Sequence, residues 1–105
     1  MYELEYLPIA GQDMVEIVRY ISRELQNPIA SERMALKMIE AMEGLKTFPY
    51  ANAVHHPIRP LKHEYRKLFI QNYIAFYRVD EEKKMITIVR VIYARRNLEK
   101  HLPEK

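Results

Sequence analysis

The sequence predicts an α+β fold: an N-terminal helical hairpin packed on a mostly antiparallel sheet of four to five strands. The order is β-α-α-β-β-β with a short C-terminal helix. Three observations predict it. Residues 9–48 carry two apolar stripes at helical spacing, split at Asn27-Pro28. Residues 65–94 carry three runs rich in β-branched and aromatic residues, separated by short polar turns. The last run, Ile86-Thr-Ile-Val-Arg-Val-Ile-Tyr-Ala94, is apolar enough to belong in mid-sheet, covered on both faces.

Each element follows from local pattern. Tyr2-Glu-Leu-Glu-Tyr-Leu7 alternates apolar and acidic residues and reads as a short strand ended by Pro8. Ile9 to Leu25 reads as a helix with Met14, Ile17, Val18, Ile21 and Leu25 on one face and Asp13, Glu16, Arg19, Arg23 and Glu24 on the other. Asn27 is a good cap, and Pro28 fits the first position of a second helix running to about Phe48. Its stripe is Met34, Met38, Ile39, Met42 and Leu45, and Pro49 stops it. The short break between the helices predicts an antiparallel hairpin.

Residues 49–60 read as a proline-rich loop, with a short extended stretch expected around Arg59–Lys62. Strands follow at Tyr65–Ile70, Tyr73–Val79 and Met85–Ala94, joined by Gln71-Asn72 and by the charged turn Asp80–Lys84. Strand alternation places Arg66, Leu68 and Ile70 on one face, Tyr73, Ala75, Tyr77 and Val79 on one face, and Arg90 with Ile86, Ile88 and Ile92. A charge in so apolar a strand must be paired, so Arg90 is expected to meet a helix carboxylate. Asn97 caps a final helix through His101. The helix pair must bury its stripe on one sheet face, and the first strand adds beside the last or a middle strand of the meander.

Composition narrows the function. The 105 residues suffice for one domain, 1–105, and one core. With no cysteine there is no disulfide, thiol nucleophile or cysteine zinc site, which fits a reducing cytoplasm. No apolar run reaches the roughly 18 residues of a membrane span, so no membrane partner is expected. The N-terminus does not resemble a signal peptide. The net charge of +3 is uneven: residues 1–54 carry an acidic surplus of three, and residues 55–105 hold twelve Lys/Arg against six Asp/Glu. The second half is therefore the expected face for an anionic partner.

The chemistry-bearing residues are few. His55, His56, His63 and His101 lack metal-site spacing, and His55-His56 reads as surface, so no metal or cofactor is expected. With only Gly11 and Gly44 there is no phosphate loop, and Ser22 and Ser31 lie in helices without a nucleophile elbow. What remains is a basic set, His63, Arg66, Lys67, Arg95 and Arg96, interleaved with Tyr65, Tyr73, Tyr77 and Tyr93. Such a set suits RNA, with cations on phosphates and rings under bases, or an acidic protein segment. The competing reading, preferred for Tyr77 and Tyr93, is that the tyrosines pack the core with their hydroxyls at its edge.

Several stretches in order carry a resemblance: L-x-N-P-x-A-S-x-R from Leu25 to Arg33, Leu45-Lys-Thr-Phe-Pro49, Tyr77-Arg78-Val79-Asp80, and Val89-Arg-Val-Ile-Tyr-Ala-Arg-Arg-Asn97. Together they resemble the RelE/ParE superfamily of toxins from bacterial type II toxin–antitoxin modules, across essentially the whole chain. The resemblance implies the RelE-like fold, a cytoplasmic growth-arresting toxin, and a cognate antitoxin that wraps it in a heteromeric complex. It also implies one of two targets. The ParE-like branch inhibits DNA gyrase; the RelE-like branch cuts messenger RNA on the ribosome. For the second, Arg66, Arg96, His63 and Tyr93 are the candidates for catalysis, and for either target Arg66, Lys67, Arg95 and Arg96 are the candidates for binding it. Two departures favour the ParE-like branch: Ile74 stands where the RNA-cutting branch has an arginine, and no tyrosine follows Tyr93. Each such group is worth about a hundredfold or more to a ribonuclease. A toxin retaining only antitoxin binding is the third alternative.

Overall fold

The computed structural model describes residues 1–95 and Leu102. The elements are β1 (Glu3–Tyr6), α1 (Pro8–Arg23), α2 (Pro28–Gly44), β2 (Arg66–Ile70), β3 (Tyr73–Asp80) and β4 (Met85–Tyr93). The helix expected from Asn97 to His101, and Arg96 with it, lie outside the described residues. No helix among the described residues is long and apolar enough to cross a membrane.

The four strands form one sheet in the order β1-β4-β3-β2. β2, β3 and β4 form the antiparallel meander, and β1 joins parallel to β4 with Glu3 opposite Met85. The most apolar strand is therefore internal, as its composition required. The hairpin lies on one face, α1 over β4 and α2 over β2.

Local chemistry sets the helix ends. Pro8 and Pro28 stand at the starts of α1 and α2, where a missing N–H costs nothing. Asn27 Oδ1 accepts from the Ala30 amide at 3.1 Å, and Gln26 turns the chain with φ 50°. α2 ends at Gly44, four residues before the expected Phe48. Leu45, Lys46 and Thr47 then donate to carbonyls three residues back, a tightened turn that takes the chain out of the helix before Pro49. Gln71 and Lys84, at the two meander turns, also have positive φ, 53° and 52°, without being glycine.

Both sheet faces are covered. On the helix side, Ile17, Ile21, Met34, Met38 and Met42 pack on Ile70, Ala75, Tyr77, Ile86, Ile88 and Val91. On the other side, Ile74, Phe76, Val89 and Ile92 pack with Tyr65, Leu61 and Leu102. This second layer is irregular chain: Arg59–Lys62 forms no strand, and Val54 instead bridges to Arg66. His55 belongs to it, its ring edge-on to Phe76 with centroids 5.2 Å apart, which corrects its expected place on the surface.

Alternation holds along β2 and β3 and fails in β4. The register steps from Phe76 opposite Arg90 to Tyr77 opposite Ile88, leaving Val89 as an extra residue. This bulge switches the faces: Ile86, Ile88 and Val91 point to the helices, whereas Val89 and Ile92 point away. Ile92 therefore does not continue the face of Ile86 and Ile88 as simple parity required.

Candidate functional site

Among the described residues, the sequence-derived basic set is spread along the sheet rather than gathered at one point. Arg66 sits opposite Tyr77, and Tyr93 sits opposite Tyr73. The two positions are four residue steps apart along β3, about 13 Å at the usual rise. Lys67 alternates with Arg66 to the opposite sheet face. Arg95 follows β4 beyond Tyr93, at the end remote from Arg66. Tyr77 is fully buried, and its hydroxyl donates to the Pro49 carbonyl at 2.7 Å. Burial holds its pKa above the ordinary value, with Asn52 and Arg66 pulling the other way.

Arg66 is engaged by its own chain. One guanidinium nitrogen donates to the Asn52 carbonyl at 2.7 Å and to the Tyr50 carbonyl at 3.4 Å. The guanidinium carbon lies 4.9 Å from the Tyr50 ring centre, and Glu64 approaches to 3.8 Å. The group is thus a clamp on residues 50–52. Beyond it runs a ladder of rings and charges: Tyr50 meets Tyr2 edge-on at 6.4 Å, and Lys84 lies over Tyr2 at 5.1 Å. Glu81 links them, accepting hydrogen bonds from Tyr2, Tyr50 and Lys84. These donors, Lys84 foremost, hold the Glu81 carboxyl down to about 2, and the bond to Glu81 pushes Tyr50 up to about 12. The adjoining cavity, about 510 Å³, carries His63 and Arg78 beside Arg66, and also Glu64, Asp80 and Glu82. Its cations are offset by carboxylates, so it is not a bare phosphate seat.

The second arginine singled out from the sequence lies between the layers. Arg90 Nε donates to Asp13 Oδ2 at 2.7 Å and its terminal nitrogen to Oδ1 at 2.9 Å. The same Oδ2 accepts from the Val91 amide at 3.0 Å, at the bulge. Arg90 therefore meets the expected helix carboxylate. Asp13, assigned from periodicity to the solvent face of α1, turns to the sheet to make that bond.

A surface that sequence reasoning missed runs along the hairpin. Met14, Val15, Val18, Ala35, Met38 and Ile39 wall a groove of about 230 Å³ between α1 and α2, with no polar lining. Val15 is 55% exposed and Ile39 50%, although Ile39 was assigned to the buried stripe. Ile29 and Leu36 are exposed on α2 as well. The available signal was apolar residues on more of α2 than one stripe, which a surface helix in a monomer does not need.

The chain matches the family described as ParE toxin of type II toxin-antitoxin system, parDE, over residues 4–98. No curated protein matches it. Among solved structures it is similar to a chain of the chromosomal ParDE system of P. aeruginosa, with TM-score 0.71 and 21% identity, covering 89% of this chain and 96% of that one. It is similar to a chain of the toxin–antitoxin complex RelBE2 of Mycobacterium tuberculosis, with TM-score 0.61 and 22% identity, covering 88% and 90%. An archaeal RelE–RelB complex from Pyrococcus horikoshii OT3 gives TM-score 0.57 at 15% identity, covering 90% and 97%. At these identities the likeness is one of fold.

Proposed function

The chain belongs to the family of ParE toxins of type II toxin–antitoxin systems, and from that membership we propose that it arrests growth by binding and inhibiting DNA gyrase, and that a cognate antitoxin neutralises it. The observation that carries the choice of target is the state of Arg66. A ribonuclease needs a guanidinium free to meet developing charge on phosphate, and one or more groups to move a proton. Arg66 is spent on the Asn52 and Tyr50 carbonyls, Ile74 is buried, and Tyr93 lies at the other end of the strands. A toxin that acts by binding needs none of these groups brought together. The ribosome-dependent nuclease is the alternative outcome of the same test.

The neighbours of known structure include toxin–antitoxin complexes. The open groove of the hairpin suits the apolar side of an amphipathic antitoxin segment, and a covering segment accounts for so much exposed aliphatic surface on α2.

The deciding experiment is a gyrase supercoiling reaction titrated with the purified folded chain and scored for both inhibition and linearised plasmid. Inhibition or trapped breaks, reversed by the antitoxin, is the expected result. No effect on gyrase, with codon-specific cleavage of messages after induction, overturns the reading in favour of the ribosome. The double variant Val15→Glu, Ile39→Glu should lose antitoxin affinity by about tenfold or more while keeping its fold, because both side chains are already exposed.

A further inference from the structure

One cavity has no part in this reading. It holds about 750 Å³ between the second half of α1 and the far end of the β3–β4 hairpin. At its floor lies the Arg90–Asp13 pair, in which both Asp13 oxygens are already bonded. Glu16, one turn further along α1 on the same face, stands at the rim. It accepts only a long bond, 3.3 Å, from its neighbour Gln12 and forms no ion pair among the described residues. Two carboxylates thus face one guanidinium, and the cavity is net acidic in a chain whose second half is strongly basic.

Three tyrosines stand in the remaining walls, beside Leu25, Asn72, Val91 and Ile92. Tyr73 and Tyr93 meet with centroids 5.7 Å apart at 67°, so their rings form a corner. Tyr20 closes the α1 side, and both it and Tyr93 are partly open to solvent, 51% and 38%. Ring faces attract cations, and an adjacent carboxylate adds a charged acceptor.

We propose that this cavity is a recognition site for an arginine side chain carried on a segment of a partner protein. The guanidinium is the cation that fits both halves of the wall: its flat face stacks on a tyrosine while its edge offers paired donors to Glu16. A compact ammonium meets one of these and leaves most of the space to water. The volume falls within the roughly 300–1,000 Å³ of small-ligand sites, so the side chain enters with some of its flanking backbone. This inference needs only the cavity, and stands whether the toxin's target is gyrase or the ribosome.

The test is an NMR titration of the full chain with the peptide acetyl-Gly-Arg-Gly-amide and with its citrulline counterpart, which keeps the shape and removes the charge. The arginine peptide should give saturable shifts at the amides of residues 16, 20, 72–73 and 91–93, with a dissociation constant on the order of a millimolar for so small a probe. Glu16→Gln, an exposed helix position where folding is not at stake, and Tyr93→Leu should each weaken binding by about fivefold. Absence of saturable shifts at these residues overturns the proposal. So does an equal response to the citrulline peptide, or unchanged affinity in Glu16→Gln.

Discussion

Two arginines on the same sheet, Arg90 and Arg66, have both been drawn into structure, in different ways. Arg90 lies between α1 and β4 and meets a full opposite charge, with the Arg90 side chain 16% and the Asp13 side chain 13% exposed. Arg66 lies at the edge, where it holds neutral carbonyls and a ring, and the Glu64 carboxylate is 3.8 Å away. The first joins two layers; the second fastens a loop to a strand. The difference teaches that an arginine's role follows from what reaches it across the fold. Its energetic weight follows from how much water remains around it.

The largest effect should come from separating Arg90 from Asp13. Asp13→Asn leaves a shielded guanidinium without its counter-charge and weakens the bond to the Val91 amide. We expect a loss of about 3 kcal/mol in urea unfolding, at the low end for such pairs because both groups keep some solvent. Asp13→Leu with Arg90→Leu should recover much of that loss. A change below about 0.5 kcal/mol in Asp13→Asn would erase the contrast between the two arginines.

Arg66→Met should cost less, about 1–2 kcal/mol, since carbonyls lose a donor but residues 50–52 lie close to water. Limited proteolysis should then cut near residues 50–52 faster, while gyrase inhibition by the folded protein persists. Loss of inhibition without loss of the fold would return Arg66 to the target-binding surface.

The smallest effect belongs to the ladder beyond Arg66. Lys84, Tyr50 and Tyr2 hold Glu81 down to about 2 against an ordinary 4.5. Its folded value lies below its unfolded one, so the stabilisation is complete above pH about 4.5 and is lost as pH falls toward 2. Thermal melts should show a shallower decline over that window in Glu81→Gln than in the parent. Because Glu81 is exposed, half-molar salt should reduce the difference. Superimposable pH profiles would mean that the ladder adds no stability.

Much of this fold was legible because its signals are local. The Asn27-Pro28 start, the methionine stripe of α2 and the alternation of β2 and β3 each depend on neighbours within one element, and periodicity reads those directly. The family resemblance drew on the same local wording. The candidate site was less legible. Arg66 and Arg95 are alike in composition but lie toward opposite ends of the strands, and only the register shows it. Ile39 resembled a core residue because its spacing is that of a core residue; whether a second layer covers it is not a property of α2 alone.

The sequence by itself determined the element order, the helical hairpin, the internal position of β4 and the need for Arg90 to find a carboxylate. Only the tertiary structure decided that Asp13 is that carboxylate, that a bulge at Val89 switches the faces of β4, and that loop carbonyls occupy Arg66. The reason is physical. Propensity and periodicity act within a few residues. A bulge, an ion pair across 77 positions or a loop clamp exists only when distant segments meet and must satisfy each other's polar groups.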